Sequence, residues 1–375
     1  MTTAITHIWL ENFRNYRLLE LSVDEKPVVL IGRNGSGKTN ILEAISLFSP
    51  GKGIRKSSLR EMDSRAAGGA PWTVAARLQK KDVEHQLATG RDGEANIDKR
   101  ILRIDGTRER GQARLCRYLS VTWLTPQMDA LFIEGSSARR KLLDRMVYAF
   151  DPEHAERVGA YEQAMRERNR LLYDRGSDPY WIAVLEQQMA QHAVSTTIAR
   201  LDTLSRICEQ MRIASHPFAK AQWTLVGTIE AWLEKQMPAL ECEANYAERL
   251  KALRGADAAA GRATEGAHRS RLEVIHSLKN MPAEQCSTGE QKSLLLSFLL
   301  NHASARAAWC SEPPILLLDE VVAHLDVEHR KELFDAMLEG GMQTWMTGTD
   351  ASDFLGLEQV ATWVEVDEGT AKRVA

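Results

Sequence analysis

The sequence predicts an α/β fold organised around a parallel sheet, and three stretches predict it. Val28-Val29-Leu30-Ile31 leads into Gly32-Arg33-Asn34-Gly35-Ser36-Gly37-Lys38-Thr39, and Ile41, Leu42, Ile45 and Phe48 follow at helical spacing. A second apolar run, Pro314 to Leu318, ends in Asp319-Glu320. Between the two, from Trp72 to Ile104, the hydrophobic period switches to two, as a half-exposed antiparallel sheet requires.

The first stretch matches G-x-x-x-x-G-K-[ST] in the strand–loop–helix context that gives the pattern its meaning. Its glycines let successive backbone N–H groups point at one anion, and the helix N-terminus adds partial positive charge. Lys38 is expected to reach the outer phosphates as a point charge, and Thr39 to offer its hydroxyl to Mg2+. The candidate phosphate-binding set is Gly32, Arg33, Asn34, Gly35, Ser36, Gly37, Lys38 and Thr39, with Asn40 next on the helix. A glycine turn that merely happened to precede Lys-Thr would need neither the strand before it nor the helix after it.

The second run suits a central parallel strand covered on both faces. Ligands in open α/β sheets gather beyond the carboxyl ends of such strands. Asp319 is then placed to hold Mg2+, directly or through water, and Glu320 to orient and deprotonate a water attacking the γ-phosphate. Acidic residues cap many helices, so Asp-Glu alone says little; downstream of a P-loop it says much more. Just upstream, Ser287-Thr288-Gly289-Glu290-Gln291-Lys292 precedes an apolar helix, Leu294 to His302. Locally this is a capping box, with Ser287 as N-cap and Glu290 three residues on. A capping box does not explain Gly289. A serine, a glycine and bare helix-start N–H groups also suit a γ-phosphate. One chain already has its P-loop on that phosphate, so the second set is best used on a nucleotide bound to another copy.

Composition narrows the class. Of 375 residues, 44% are hydrophobic and 26% charged, enough for a core and for either two domains or one core with an inserted lobe. No apolar run approaches the roughly 20 residues of a membrane span. Met1 to Leu10 lacks the basic-then-apolar pattern of a secretory signal. Cys116, Cys208, Cys242, Cys286 and Cys310 are scattered and odd in number, without a C-x-x-C. That points to a reducing compartment, the cytosol, and away from zinc. With a formal net charge of −3, any nucleic-acid surface must be a local patch.

In chain order, two short strands (Ile8, Leu10; then Leu19, Leu21, Val23) flank a polar turn, Glu11-Asn12-Phe13-Arg14-Asn15-Tyr16. Pro50-Gly51 ends the P-loop helix, and Lys52, Arg55, Lys56 and Arg60 form a basic loop. Trp72, Val74, Ala76, Leu78, then Val83, His85, Leu87, then Leu102, Ile104 mark strands, with Asp105-Gly106 as a hairpin turn. Near Leu131 the texture becomes helical: Leu142 to Phe150, Val158 to Leu172, and Trp181 to Met211, the last roughly 45 Å if it is one helix. Gly176-Ser177-Asp178-Pro179 separates the two arms, which are expected to run antiparallel, and Gly255, Gly261 and Gly266 mark the return. The expected organisation is 1–128 as the N-terminal part of the nucleotide-binding unit, 129–260 as an inserted helical lobe, and 261–375 as the C-terminal part.

The P-loop, the Ser-Thr-Gly-Glu-Gln stretch ahead of Asp319-Glu320, and Ala323-His324-Leu325-Asp326 behind it resemble the ABC-type ATPase heads of the SMC/Rad50/RecF group. The implied fold is a P-loop parallel or mixed sheet with an antiparallel β subdomain, carrying an inserted α-helical lobe. Within the group the chain most resembles the RecF family. Glu11 to Tyr16, Gly32 to Asn40 with Ile41-Leu42-Glu43-Ala44-Ile45, and Pro126-Gln127-Met128-Asp129 carry that match. So do Arg139-Arg140-Lys141-Leu142-Leu143-Asp144 and Gly266-Ala267-His268-Arg269. Ala267 departs from the family's usual Gly-Pro-His-Arg, which puts the stiffness of that turn in question. Thr344 to Asp350 lacks the switch histidine of transporter ATPases.

The resemblance implies ATP and Mg2+ as cofactors, with Arg14, Asn15 and Gln127 as further nucleotide contacts. It implies that Ser287, Thr288, Gly289, Glu290 and Gln291 reach the ATP of a second copy in an ATP-dependent homodimer, with Asp326 crossing the same interface. It further implies slow, DNA-stimulated hydrolysis, binding at DNA gaps or junctions, and cooperation with RecR and RecO in loading RecA. Recombinational repair, replication-fork maintenance and a link to the SOS response follow from the same kinship. Candidate DNA contacts are the basic clusters Lys52, Arg55, Lys56, Arg60; Arg108, Arg110, Arg114, Arg117; and Arg139, Arg140, Lys141, each of which reads equally as a solvated face. With no zinc finger or basic recognition helix, such patches would read backbone and shape. Three other readings stay open. The long gap from Lys38 to Ser287 speaks against a transporter subunit. Missing heptads and hook speak against a long-armed SMC or Rad50-type protein. Glu320 speaks against a DNA-binding scaffold that binds nucleotide without hydrolysing it.

Overall fold

The apolar alternation of the N-terminal third is the pleat of a real sheet, and the unbroken apolar runs are strands buried on both faces. The computed structural model describes residues 3–64, 68–93, 99–174, 178–214, 216 and 218–374. In chain order these form β1 (Thr3–Phe13), β2 (Tyr16–Ser22), β3 (Val28–Ile31), α1 (Lys38–Ser46), β4 (Thr73–Lys80), β5 (Val83–Arg91), β6 (Arg100–Ile104), β7 (Thr107–Glu109) and β8 (Val121–Leu124). Next come α2 (Ser136–Val147), α3 (His154–Tyr173), α4 (Pro179–Ile213), β9 (Ala221–Val226), α5 (Thr228–Glu234), α6 (Ala239–Ala252), α7 (Arg254–Ala260), β10 (Arg271–His276) and β11 (Met281–Pro282). The chain closes with α8 (Thr288–Cys310), β12 (Ile315–Leu318), α9 (Val327–Glu339), β13 (Thr344–Gly348), β14 (Thr362–Asp367) and β15 (Thr370–Val374).

Tertiary contacts divide the chain into two units, one of Met1–Asp129, Ile213–Phe218 and Leu295–Ala375, the other of Ala130–Arg212 and Ala219–Leu294. The chain therefore leaves the second unit at Leu294 and not near residue 260. The reason is strand pairing: β10 completes a sheet with β9, so the segment after the last lobe helix has to stay with the lobe. The inserted lobe is also not purely helical, because β11-β10-β9 form a three-stranded antiparallel sheet within it.

In the first unit, one sheet of order β2-β1-β4-β5-β6-β7 is antiparallel throughout. Val74, Ala76, Leu78, Leu87, Leu102 and Ile104 are its buried row. The first hairpin is tighter than the polar turn of the sequence suggested. β1 continues through Glu11–Phe13, Phe13 pairs with Tyr16, and Arg14 turns the chain at φ 56°. The other sheet, β15-β14-β3-β13-β12-β8, is parallel from β14 to β8, with β15 antiparallel at the edge. β12 and β13 are buried along their whole length, so no polar alternation marks them. Ile41, Leu42 and Ile45 of α1, with Phe48 just beyond it, share one core with both sheets.

In the second unit, Tyr161, Leu185, Met189, Ala193, Ile229 and Tyr246 form the core. α4 is a single helix of 35 residues, about 52 Å long, and so extends past the Trp181–Met211 stretch. The turn expected at Gly176-Ser177 lies outside the described residues. Buried charge fixes which helical turns meet. Arg168 donates to Glu186 at 3.0 Å, Asp257 at 2.7 Å and the Leu250 carbonyl at 2.7 Å. Arg200 donates to the two Asp144 oxygens at 2.8 and 2.9 Å, and His154 Nε2 meets the same carboxylate at 2.7 Å. Removing one partner of such a pair would leave the other uncompensated, at a cost of about 3–5 kcal/mol.

The turn that carries Ala267 in place of proline is stiffened by hydrogen bonds. Arg200 donates to the Ala267 carbonyl at 2.7 Å, the Arg269 N–H to the Gly266 carbonyl at 2.7 Å, and His268 Nε2 lies 3.1 Å from the Ala263 carbonyl. All five cysteines carry free thiols. Among the described residues no helix is long and apolar enough to cross a membrane.

Candidate nucleotide-binding site

Strand order creates the site. β13 lies between β3 and β12, so the P-loop after β3, the end of β13 and Asp319-Glu320 after β12 emerge side by side at the carboxyl edge of the sheet. Asp319 Oδ1 accepts the Thr39 hydroxyl at 2.8 Å and the Thr347 hydroxyl at 2.9 Å. Thr347 Oγ1 in turn accepts the Glu320 backbone N–H at 2.9 Å. That bond holds Glu320 at φ 53°, a left-handed conformation that costs a non-glycine residue energy and that collects at functional sites.

The P-loop is built so that no side chain intrudes. A Cβ on Gly32 would run into the Val366 carbonyl, and Gly37, at φ 115°, has Asn15 and the Tyr16 hydroxyl where its side chain would be. Tyr16 donates to the Gly37 carbonyl at 3.1 Å and Asn15 Nδ2 to the Ser36 carbonyl at 3.0 Å, so the loop is clamped from outside. Lys38 is 4% exposed, and its Nζ donates to the carbonyls of Gly32 at 2.6 Å and Arg33 at 2.9 Å. Burial pushes its pKa down, while Glu320 and Asp319 pull it back up. The Ser36 hydroxyl is buried without a hydrogen-bond partner. An orphaned hydroxyl inside a loop of backbone donors fits the oxygens of a polyphosphate. For Mg2+, Thr39 and Asp319 supply the hard oxygens, one carboxylate plus a hydroxyl being the sparse protein share this ion takes beside phosphates and water. Among the described residues no group of three or more His, Cys, Asp or Glu side chains offers an all-protein cage.

Arg14, Asn15 and Asn40, expected at the nucleotide, are engaged in bracing its surroundings. Arg14 grips Glu43 through Nε at 2.8 Å and Nη2 at 2.5 Å, and also donates to Ser57 at 2.6 Å and the Glu61 carbonyl at 2.7 Å. Arg55 Nη1 reaches Asn40 Oδ1 at 2.6 Å and Glu43 Oε2 at 3.2 Å, and Asn40 Nδ2 donates to Asn15 Oδ1 at 2.6 Å. Glu43 is fully buried at the centre of this network. Sequence reasoning passed over it as part of a helical match. The available signal was a carboxylate set between Leu42 and Ala44 on an apolar helix, which only a cation could satisfy. Thr347 was missed too, because nothing local links it to Asp319.

Arg33 and Asn34 are exposed on the loop, and Gln127 is exposed in the turn Pro126–Ala130 that follows β8, at the same carboxyl edge of the sheet. In the second unit the capping box forms: the Ser287 N–H donates to Glu290 Oε2 at 2.9 Å and the Glu290 N–H to Ser287 Oγ at 3.4 Å. Lys279 pairs with Glu290, and together with Ser287 holds that carboxyl down at about 2. Ser287, Thr288 and Gly289 are exposed, whereas Gln291 is buried and donates to the Cys286 carbonyl at 2.9 Å. Gln291 is thus turned inward onto the segment before the helix and does not face outward with the others. Asp326 is exposed and caps α9, accepting the His329 N–H at 2.9 Å.

The basic clusters divide into exposed and engaged side chains. Lys52, Lys56 and Lys141 are exposed. Arg139 donates to the Phe132 carbonyl at 2.8 Å, and Arg140 to the Ser270 carbonyl at 2.7 Å and Ser136 at 3.0 Å, so these two brace the lobe. Arg60, Arg110 and Arg117 are exposed, while Arg108 pairs with Asp92 at 3.4 Å and Arg114 with Glu109 at 3.7 Å.

A family model described as the RecF/RecN/SMC N-terminal domain matches residues 4–370. The chain is 42% identical over 368 residues to the DNA replication and repair protein RecF of Agrobacterium fabrum, covering 98% of this chain and 97% of that one. It is 43% identical over 370 residues to the RecF of Allorhizobium ampelinum, covering 98% of each. Among solved structures, the recombination mediator protein RecF with ATP in the RecFOR pathway matches with a TM-score of 0.86 at 20% identity, covering 100% of this chain and 98% of that one. The Smc head domain derived from Pyrococcus furiosus, bound to the C-terminal domain of ScpA, matches at 0.52 with 15% identity, covering 100% and 96%. These two likenesses establish the fold, an ABC-type ATPase head.

Replacing Thr347 by valine keeps its volume and strands the Glu320 N–H. Urea unfolding of Thr347→Val should show a loss of about 1–3 kcal/mol, with Thr347→Ser close to the parent. The reverse order, a loss in Thr347→Ser with Thr347→Val close to the parent, would mean that packing of the methyl group, and not the hydroxyl, matters at this position.

Proposed function

This chain belongs to the RecF family of the RecF/RecN/SMC group, and on that premise we propose that it is a cytoplasmic, ATP-dependent DNA-binding protein of recombinational repair and replication-fork maintenance. It binds ATP with Mg2+, pairs with a second copy, and hydrolyses ATP slowly under stimulation by DNA. The observation that carries this reading is the Asp319 carboxylate held between Thr39 and Thr347, with the strained Glu320 beside it.

The P-loop N–H groups, the Ser36 hydroxyl and the Lys38 ammonium bind the outer phosphates. Mg2+, when bound, neutralises phosphate charge, and Thr39 and Asp319 are the side chains that hold it. Glu320 takes a proton from the attacking water. Gln127, exposed at the same carboxyl edge as the P-loop, is suited to sensing the terminal phosphate. Ser287, Thr288 and Gly289 of each copy complete the nucleotide site of the other, and Asp326 lies in the same twofold interface. Lys52 and Lys56 supply DNA phosphate contacts without base readout. From kinship with proteins named for the RecFOR pathway, RecR and RecO are its partners and RecA loading its outcome, with the SOS response downstream.

Glu320→Gln should bind ATP normally yet turn over about 100-fold more slowly, the scale of losing a positioned base; phosphate release at the parental rate would remove Glu320 from the mechanism. Ser287→Arg should leave ATP affinity intact and block ATP-dependent dimerisation in sedimentation, so a normal dimer would refute the shared site. Lys52→Ala combined with Lys56→Ala, with Arg55 left to hold Glu43, should flatten the salt dependence of DNA binding by up to about two in slope. An unchanged slope would make that loop a merely solvated surface.

A further inference from the structure

β9 is the edge of the three-stranded sheet in the second unit, paired with β10 on one side. Among the described residues no strand covers its other side. Natural edges are usually blunted by charge, proline or a bulge. β9 carries none of these: Ala221-Gln222-Trp223-Thr224-Leu225-Val226 pairs in unbroken register from Ala221↔His276 to Val226↔Arg271. It presents roughly 20 Å of backbone in a conformation ready to pair.

A cleft of about 530 Å³ runs between this edge and the end of α4. Met211, Ala221 and Trp223, all nearly buried, give it an apolar floor. Among the described residues Arg212 and Lys220 are its charged lining residues, and no carboxylate lines it. The Trp223 backbone meets the Cys208 thiol there, and burial pushes that thiol's pKa up. A neutral thiol is a weak hydrogen-bond partner, which a peptide carbonyl or N–H would replace with gain.

We propose that this edge is the docking site for an extended, acidic segment of a partner protein, which adds to β9 as a fourth strand and sets a carboxylate against the exposed Arg212. The backbone supplies the affinity and the alternate side chains the selectivity, as in other strand-addition complexes. A second copy of this chain suits the cleft poorly, because pairing β9 with β9 would bring both sets of cations into one groove. A nucleic-acid backbone suits it poorly as well, since phosphates accept hydrogen bonds but donate none to the strand's carbonyls. The proposal stands apart from the nucleotide reading, because Arg212 and β9 take no part in that site.

The test uses the full chain and a fluorescein-labelled peptide of six alternating glutamates and valines, blocked at both ends. Two control peptides replace glutamate by lysine, or carry N-methyl groups at alternate residues. The acidic peptide should bind and slow hydrogen exchange across Ala221–Val226 by about fivefold or more. Arg212→Glu should weaken it about tenfold while leaving ATP affinity at the parental value, and both control peptides should bind at least about tenfold more weakly. Equal binding of the N-methylated peptide, binding without slowed exchange in β9, or no binding at millimolar peptide would each overturn the proposal. So would a dimer in which β9 is already protected before peptide is added.

Discussion

The nucleotide site depends on one carboxylate oxygen. Asp319 Oδ1 accepts two hydroxyls, from Thr39 at 2.8 Å and Thr347 at 2.9 Å, and so ties the ends of β12 and β13 to the start of α1. A hydrogen bond to an ionised acceptor is about twice as strong as a neutral one, which makes this junction a stiff one. Its charge serves a second purpose. Lys38 lies where burial alone would drive it toward neutrality, and Glu320 and Asp319 oppose that shift. The same two carboxylates proposed to serve the metal and the water thus favour the cationic form of Lys38.

Around this junction the arginines behave differently from the lysines. In the two basic runs that hold both residue types, Lys52, Lys56 and Lys141 stay in solvent, while Arg55, Arg139 and Arg140 turn toward carbonyls or carboxylates and Arg60 stays exposed. Arg14 and Arg200 carry this furthest, each satisfying a carboxylate with two donors while a third reaches a backbone carbonyl. A guanidinium is weakly hydrated and presents five donors in a rigid fork, so it can serve several acceptors at once; an ammonium is a strongly hydrated point charge. Counting both alike as a basic patch overstates the surface available to DNA.

How much was legible follows from the range of each signal. The P-loop, the strand ahead of Asp319, the capping box at Ser287 and the alternating strands of the antiparallel sheet are patterns contained within about ten residues, where period and turn chemistry decide the outcome. The brace around Glu43 was half legible: a carboxylate buried on an apolar helix demands a cation, but which arginine answers is a matter of folding.

The sequence by itself determined the strand–loop–helix cradle, the acidic strand end and the helix starts, because backbone periodicity and glycine stereochemistry act locally. Only the tertiary structure decided that β13 lies between β3 and β12, which makes Thr347 the partner of Asp319 and Glu320. Only the tertiary structure paired β9 with β10, and so carried the lobe on to Leu294 and, among the described residues, left β9 at the edge of its sheet. The physical reason is the same in both cases. An apolar or alternating run specifies that a strand must be buried and on which face, but not beside which neighbour; strand order is settled by burial and pairing summed over the whole chain.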